Sequence, residues 1–139
     1  MEIQEIINSN TKVLTVTKTL EGLVWPIALT KYKRAIYYIV FNNILVKVGQ
    51  TSNFYERSAA YRTEAKKLNE NLEPSNNGSP ITIHKLNELM NIGQTAEIYA
   101  WFVESKKQYE VQDGRRVPLT VNMLGLETLE RKRLNPLLK

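Results

Sequence analysis

The sequence predicts an α+β domain in which a small antiparallel sheet of three core strands is flanked by helices. Three short runs rich in β-branched and aromatic residues predict the strands, at residues 35–41, 44–49 and 97–104. Segments whose apolar residues recur at helical spacing predict the helices. The sequence contains no Gly-rich phosphate loop, histidine pair or serine nucleophile elbow, which disfavours nucleotide hydrolysis and serine hydrolysis.

The length of 139 residues predicts a single domain, with residues 1–34 as an N-terminal extension and residues 35 to about 136 as the core. A net charge of +5 and a sequence pI near 9.4 favour a polyanionic partner without establishing one. The absence of cysteine excludes disulfides and thiolate zinc sites and fits a reducing cytoplasm. Neither a signal peptide nor a membrane span is visible, so a soluble, cytoplasmic protein is expected.

The N-terminal extension is compatible with a short helix, followed at residues 12–19 by an alternation that suits a strand at a sheet margin. Pro26 discourages a central strand through that point. Residues 35–41 and 44–49, joined by two asparagines at 42–43, predict a β-hairpin.

Asn53 is placed to cap a helix over residues 54 to about 68, because its side-chain oxygen can accept an amide of the first turn. The polar residues 69–80, which include an Asn-Asn-Gly turn signal, predict a loop. A second, amphipathic helix is predicted over residues 81–91, ending near Gly93.

Residues 105–118 are a second polar stretch, either a long hairpin or a loop, with a turn at residues 113–114. Thr120 can cap a last helix that runs through Leu134 and is stopped by the Asn-Pro pair at 135–136.

The most informative pattern consists of polar and special residues at fixed spacing. In chain order they are Tyr37, Lys47, Gly49, Asn53, Arg57, Tyr61 and Glu127. Arg57 follows Gly49 by eight residues, and Pro136 follows Glu127 by nine. The arrangement resembles the GIY-YIG nuclease superfamily, in which an x-I-Y strand is followed about ten residues later by Y-I-G-x-T-x-N, then by an arginine and a late glutamate at these spacings. The resemblance covers about residues 35–136, and the compact format is similar to small phage and restriction members.

The resemblance implies a divalent-metal-dependent endonuclease that cuts double-stranded DNA and leaves 5′-phosphate and 3′-hydroxyl ends. Glu127 would hold one Mg²⁺ or Mn²⁺ ion per site, Tyr37 would help to deprotonate the attacking water, and Arg57 would neutralise the scissile phosphate. Lys47 and Tyr61 complete the implied catalytic set. The implied biology is restriction or phage attack on host DNA, in a bacterial cytoplasm.

The chemistry of these side chains supports the assignment. A hard cation accepts few carboxylates and keeps several waters, so one glutamate with phosphate oxygens is sufficient. A phenol, with a reference pKa of about 10, is a poor base unless its anion is stabilised. Lys47, Arg57 and the metal are expected to lower the pKa of Tyr37. Tyr61 lies one helical turn beyond Arg57, so both can point at one phosphate.

Further residues are candidates for contact with DNA. They are Gly49, Thr51, Asn53, Arg62, His84, Lys106, Lys107, Arg115 and Arg116. The four basic residues of the 105–118 stretch are each typical of solvated loop charges, but as a cluster they could follow a phosphate backbone. For His84, a structural or DNA-contact role is favoured over general base catalysis.

The sequence departs from the superfamily pattern at three places. Ala35 stands where the first glycine is usual, and Lys47 stands where the second tyrosine is usual, as in some restriction members. The chain ends in P-L-L-K where the pattern has P-x-x-N. Glu130 is a rival to Glu127 one turn away, and the spacing to Pro136 selects Glu127.

Each site residue also has an ordinary structural interpretation. Tyr37 could be a sheet aromatic, Arg57 a solvated helix charge, and Glu127 the i,i+4 ion-pair partner of Arg131. The alternative function is therefore a catalytically inactive module that binds nucleic acid through the same basic face. Because one small site cuts one strand, cleavage of both strands would need a homodimer, a homotetramer or successive visits.

The register of the hairpin decides whether Tyr37 and Lys47 can act together, because directly opposed residues share a sheet face. A regular hairpin with a two-residue turn would place Lys47 opposite Tyr38 and leave Tyr37 on the other face. A joint role therefore predicts an odd loop or an equivalent bulge, with Tyr37 opposite Gly49.

Overall fold

The computed structural model describes residues 3–29, 33–103, 108–112, 115–119 and 123–138. The helices are α1 (Ile3–Ser9), α2 (Phe54–Asn69), α3 (Ser79–Leu89) and α4 (Met123–Leu134). The strands are β1 (Thr11–Thr19), β2 (Gly22–Val24), β3 (Ala35–Phe41), β4 (Ile44–Thr51), β5 (Thr95–Phe102), β6 (Gln108–Gln112) and β7 (Arg115–Leu119). These elements confirm the predicted α+β class. Within the described ranges, none of the helices is long and apolar enough to cross a membrane.

The main sheet has five antiparallel strands in the order β2-β1-β5-β3-β4, two more than the three predicted core strands. Both additional strands come from the predicted N-terminal extension. β1 pairs along β5 from Thr11 opposite Ala100 to Thr17 opposite Thr95, so this segment is part of the sheet. The sequence signal is weak there because only two of the nine residues of β1 are buried, and β2 has three residues.

The two faces of the sheet pack against different helices. The first face, which carries Tyr37, packs against α2 and α3 in a core that includes Leu86. The second face, which carries Tyr38, packs against Ile6 of α1 and Leu134 of α4. The neighbouring tyrosines of β3 therefore lie in two separate cores.

The hairpin of β3 and β4 combines a two-residue turn with a β-bulge. Residues 42–43 form the turn, with positive φ angles of 50° and 59°, which asparagine tolerates better than most residues. The register then shifts between Val40 and Ile39, so that Ile39 opposes Lys47 and Val46 becomes the extra residue of β4.

The bulge confirms the register predicted for a joint site. Tyr37 lies opposite Gly49, and Lys47 lies opposite Ile39. Because Tyr37 and Ile39 are two residues apart on β3, Tyr37 and Lys47 share one face of the sheet. Tyr38 points to the second face, as predicted.

The helix boundaries follow from local chemistry. Asn53 caps α2 as predicted, since its Oδ1 accepts a hydrogen bond from the backbone N–H of Glu56 at 3.2 Å. The helix predicted at residues 81–91 begins earlier, at Ser79, because Pro80 occupies its first turn, where a missing N–H costs no hydrogen bond.

The 105–118 stretch contains the β6–β7 hairpin, the first of the two predicted alternatives. The predicted turn at residues 113–114 and the predicted cap Thr120 lie outside the described residues. α4 ends at Leu134, where Asn135 takes a positive φ of 47°.

Candidate active site

A pair of tyrosines lies at the centre of the first face. Tyr37 of β3 and Tyr61 of α2 are 2% and 1% exposed, and their hydroxyl oxygens are 2.7 Å apart in a hydrogen bond that either can donate. The Phe54 ring meets Tyr37 edge-on with 6.0 Å between centroids, and the Trp25 ring packs on Tyr61 at 4.9 Å. These contacts fix the positions of both phenol rings.

Gly49 provides the space in which the Tyr37 ring lies. A Cβ at position 49 would be 2.2 Å from Cζ and 2.4 Å from the hydroxyl oxygen of Tyr37, far inside van der Waals contact. The glycine is therefore required by the ring opposite it, and this structural requirement accounts for Gly49 without any contact to DNA.

Lys47 reaches the same tyrosine pair from β4. Its Nζ donates a hydrogen bond to Thr82 Oγ1 at 3.0 Å and lies 5.7 Å from the centroid of the Tyr61 ring. An ammonium within about 6 Å of an aromatic centroid is attracted by the face of the ring. The structure thus brings together three of the five predicted catalytic residues, Tyr37, Lys47 and Tyr61.

The remaining two, Arg57 and Glu127, are close enough to act on the pKa of Tyr37. Burial raises this pKa well above its ordinary value, and the charge and hydrogen bond of Tyr61 raise it further. Arg57 lowers the pKa, as expected, while Glu127 raises it. In this structure burial outweighs the nearby cation, and Tyr37 is a neutral phenol. The stabilisation of its anion by Lys47, Arg57 and a bound metal together stays a prediction.

Glu127 lies on the inner side of α4, 8% exposed, and its Oε1 forms an ion pair with Nη2 of Arg131 one turn later. The ordinary structural interpretation of Glu127, an i,i+4 ion pair with Arg131, is therefore confirmed in this structure. The Nε atom of Arg131 is buried and has no hydrogen-bond partner within the described part of the chain. The carboxylate already has a cationic partner, which a metal ion would have to displace.

Glu130, the rival carboxylate, belongs to the second face. Its Oε2 accepts hydrogen bonds from the Tyr38 hydroxyl at 3.2 Å and from Arg133 Nη2 at 2.7 Å. Arg133 also pairs with Glu5 of α1 at 2.7 Å. The structure therefore separates Glu127, which acts on Tyr37, from Glu130, which ties α4 to β3 and α1.

Two of the predicted DNA contacts have structural roles here. Thr51 Oγ1 donates to the carbonyl of Asn53 at 3.0 Å and accepts from its N–H at 3.1 Å. Asn53 in turn caps α2. Together they fix the start of the helix that carries Arg57 and Tyr61.

The other predicted DNA contacts are dispersed. Arg62 follows Arg57 by five positions, about 140° around the helix, and lies beside Pro26 and Ala28 on the opposite flank of α2. His84 is exposed on α3. Lys106 and Lys107 lie outside the described residues, and Arg115 and Arg116 are the first residues of β7.

The sequence pattern did not include two residues that touch this site, Thr82 and Trp25. Thr82 is fully buried on α3, and a hydroxyl among the apolar positions of an amphipathic helix is the one signal that could have indicated it. Trp25 Nε1 donates to Ser58 Oγ of α2 at 2.9 Å, a tertiary contact without a local signature.

The donor set suits one hard cation rather than a metal cage. Among the described residues, no group of three or more acidic or histidine side chains could hold a metal ion. Mg²⁺ is commonly bound through one or two carboxylates, with substrate phosphate oxygens and water completing its shell. Glu127 is a single buried carboxylate that could serve in this way once its ion pair with Arg131 is released.

Comparison with solved structures supports the fold. A glutamate-to-alanine mutant of bacteriophage T4 EndoII matches with a TM-score of 0.65 and 21% identity, covering 100% of this chain and 99% of that one. The restriction endonuclease HPY188I in complex with product DNA matches with a TM-score of 0.51 and 15% identity, covering 97% of this chain and 82% of that one. No family model and no curated protein matches. The chain is thus similar in fold to both of these structures.

The contact between Gly49 and Tyr37 gives a prediction about stability. Gly49→Ala should lower the free energy of unfolding by about 1–3 kcal/mol, because the added methyl group must push a buried ring aside. The control is Gly78→Ala, where a Cβ meets no atom within 4 Å and a change below about 1 kcal/mol is expected. Denaturant unfolding followed by circular dichroism measures both, and equal effects would contradict the packing argument.

Proposed function

We propose that this protein is a divalent-metal-dependent endonuclease that hydrolyses phosphodiester bonds of double-stranded DNA and leaves 5′-phosphate and 3′-hydroxyl ends. The observation that carries the proposal is the arrangement on the first face. Tyr61 is hydrogen-bonded to Tyr37, Arg57 and Glu127 act on the pKa of Tyr37, and Lys47 lies over the Tyr61 ring. The two structural neighbours, bacteriophage T4 EndoII and the restriction endonuclease HPY188I in complex with product DNA, support it.

In the proposed reaction, Arg57 binds the scissile phosphate, because a planar guanidinium stays charged and can donate to two phosphate oxygens. Tyr37 holds its proton in this structure and can orient a water molecule at its hydroxyl. Neutralising Glu127 would remove one of the influences that raise the pKa of Tyr37, while that of Arg57 would persist. A larger fraction of Tyr37 would then be phenolate, the form that can accept a proton from water.

Glu127 is the residue proposed to hold one Mg²⁺ or Mn²⁺ ion. When bound, such an ion lowers the pKa of a coordinated water and stabilises negative charge on phosphoryl oxygens. Arg131, displaced from Glu127, would be free to meet the added negative charge of the substrate.

A catalytically inactive nucleic-acid-binding module is the second candidate. The ion pair between Glu127 and Arg131 and the raised pKa of Tyr37 favour it. A carboxylate paired with arginine and a protonated tyrosine are what a catalytically inactive site would show. The net charge of +5 suits binding in either case. For the active enzyme, we propose a role in restriction or in degradation of host DNA, a location in a bacterial cytoplasm, and a homodimer or homotetramer.

Plasmid nicking in the presence and absence of Mg²⁺ or Mn²⁺ distinguishes the two candidates. Wild-type protein should nick only with the metal, and Glu127→Gln should abolish nicking while DNA binding in a gel-shift assay stays within about threefold. The matched control is Glu130→Gln, which removes a carboxylate of the same helix from the second face and should keep most of the activity. Loss of nicking in Glu130→Gln alone would move the metal assignment to Glu130.

Arg57 can be tested by conserving its charge. Arg57→Lys should reduce the single-turnover cleavage rate by at least about tenfold, because lysine keeps the charge but lacks the two-pronged geometry. The affinity for DNA should fall much less. Arg133→Lys makes the same exchange on the second face and should leave the rate unchanged. A normal rate in Arg57→Lys would reduce Arg57 to a general electrostatic contact.

The ion pair of Glu127 predicts competition between Arg131 and the metal. Arg131→Met should raise the affinity for Mn²⁺ by up to about fivefold, since a partly exposed ion pair contributes about 1 kcal/mol or less. Isothermal titration calorimetry without DNA measures this directly. Arg133→Met removes an arginine of the same helix that pairs elsewhere, and its affinity should equal that of wild type. An unchanged or weaker affinity in Arg131→Met would show that the pair does not compete with the metal.

A further inference from the structure

The ammonium group of Lys47 is held from two sides by two different helices. Its Nζ donates to Thr82 Oγ1 of α3 at 3.0 Å, and it lies over the ring of Tyr61 of α2, 5.7 Å from the centroid. A lysine side chain has four rotatable bonds and loses much conformational entropy when it is fixed. Two contacts from separate elements therefore define where this charge lies.

Within the described residues, the hydrogen bond found for the Thr82 hydroxyl is the one from Lys47. The residue is 0% exposed, and its helical neighbours Ile83 and Leu86 belong to the apolar core. A buried hydroxyl destabilises the fold unless it is hydrogen-bonded, and valine has nearly the same shape without that cost. The hydrogen bond from Lys47 accounts for threonine at this position.

The position of the Lys47 charge matters because the ammonium lies beside the tyrosine pair. The Tyr61 ring that lies under the ammonium ends in the hydroxyl that is hydrogen-bonded to Tyr37 at 2.7 Å. The electrostatic effect of a charge depends on its distance from the group it acts on. A charge that is fixed before the reaction also needs no reorganisation when negative charge develops nearby.

We propose that Thr82 is a positioning residue that holds the Lys47 ammonium over Tyr61, beside the tyrosine pair, during phosphodiester cleavage. The proposal rests on the proposed function and extends it to α3, a helix without any assigned catalytic contribution. Thr82 itself touches neither substrate nor metal, and it acts only through Lys47.

The test uses single-turnover cleavage of a DNA duplex with enzyme in excess, where the rate reports the reaction and the amplitude reports the fraction of active protein. Thr82→Val should lower the rate on the order of tenfold, as expected for loss of a hydrogen bond to a charged group. The amplitude and the affinity for DNA should stay within about twofold. Thr82→Ser keeps the hydroxyl and should restore most of the rate.

The matched control is Lys18→Met. Lys18 Nζ donates to the carbonyl oxygen of Asn87 at 2.7 Å, so this variant also removes a lysine hydrogen bond to α3, from β1 instead of β4. Its rate should equal that of wild type. In a Lys47→Met background, Thr82→Val should cause no further loss, because the group that it positions is already absent.

A second measurement is independent of catalysis. In ¹⁵N-lysine NMR spectra, the Lys47 ammonium should give a slowly exchanging signal in wild type and Thr82→Ser, and this signal should disappear in Thr82→Val. A full rate in Thr82→Val, or an equal loss in the Lys47→Met background, would overturn the positioning role. A wild-type protein that cuts no DNA would overturn the proposed function, whereas an unchanged ammonium signal in Thr82→Val would overturn the contact itself.

Discussion

The β-bulge at Val46 is the constraint on which the candidate site depends. With a two-residue turn, regular pairing would place Lys47 opposite Tyr38, on the face covered by α1 and α4. One extra residue reverses the parity of β4 beyond the bulge, so that Lys47 and Gly49 share the first face with Tyr37. A shift of one residue in pairing thus decides whether the predicted catalytic residues can meet.

The bulge is also connected to the helix that carries Glu127. The carbonyl oxygens of Leu45 and Val46 accept hydrogen bonds from the N–H groups of Leu137 and Leu138, at 2.9 and 2.8 Å. The residues after α4 therefore cover the edge of β4 at the bulge, where unpaired backbone groups would otherwise be exposed. This contact fixes α4 relative to β4, and hence Glu127 relative to the strand of Lys47.

The sequence was sufficient for the features that depend on local chemistry and parity. The turn at residues 42–43, the Asn53 cap and the need for a bulge all follow from side-chain types and the two-residue period of a strand. Strands β1 and β2 could not be placed with the same certainty, because they bury few side chains and their pairing with β5 is long-range. That burial raises the pKa of Tyr37 could not be read from the sequence, because burial depends on the tertiary structure.

The motif residues divide into those that build the site and those that can act in it. Gly49 makes room for the Tyr37 ring, while Thr51 and Asn53 order the start of α2. Pattern matching cannot separate these roles, because a residue required for packing and a residue required for chemistry leave the same kind of signal. The contacts in the structure separate the motif residues that pack or cap from those that place a charge near Tyr37.

In the proposed enzyme, the arrangement of charges around Tyr37 would change when metal and DNA bind. Arg131 pairs with Glu127, Arg57 acts on Tyr37, and Lys47 lies over the Tyr61 ring. In the proposed function, these three cations against the one carboxylate Glu127 would attract a phosphate. A phosphate alone would add negative charge beside a phenol whose pKa burial already raises. A divalent cation at Glu127 would offset that charge and release Arg131 towards the phosphate. Binding of metal and of DNA would then favour each other, since each stabilises the arrangement that the other requires.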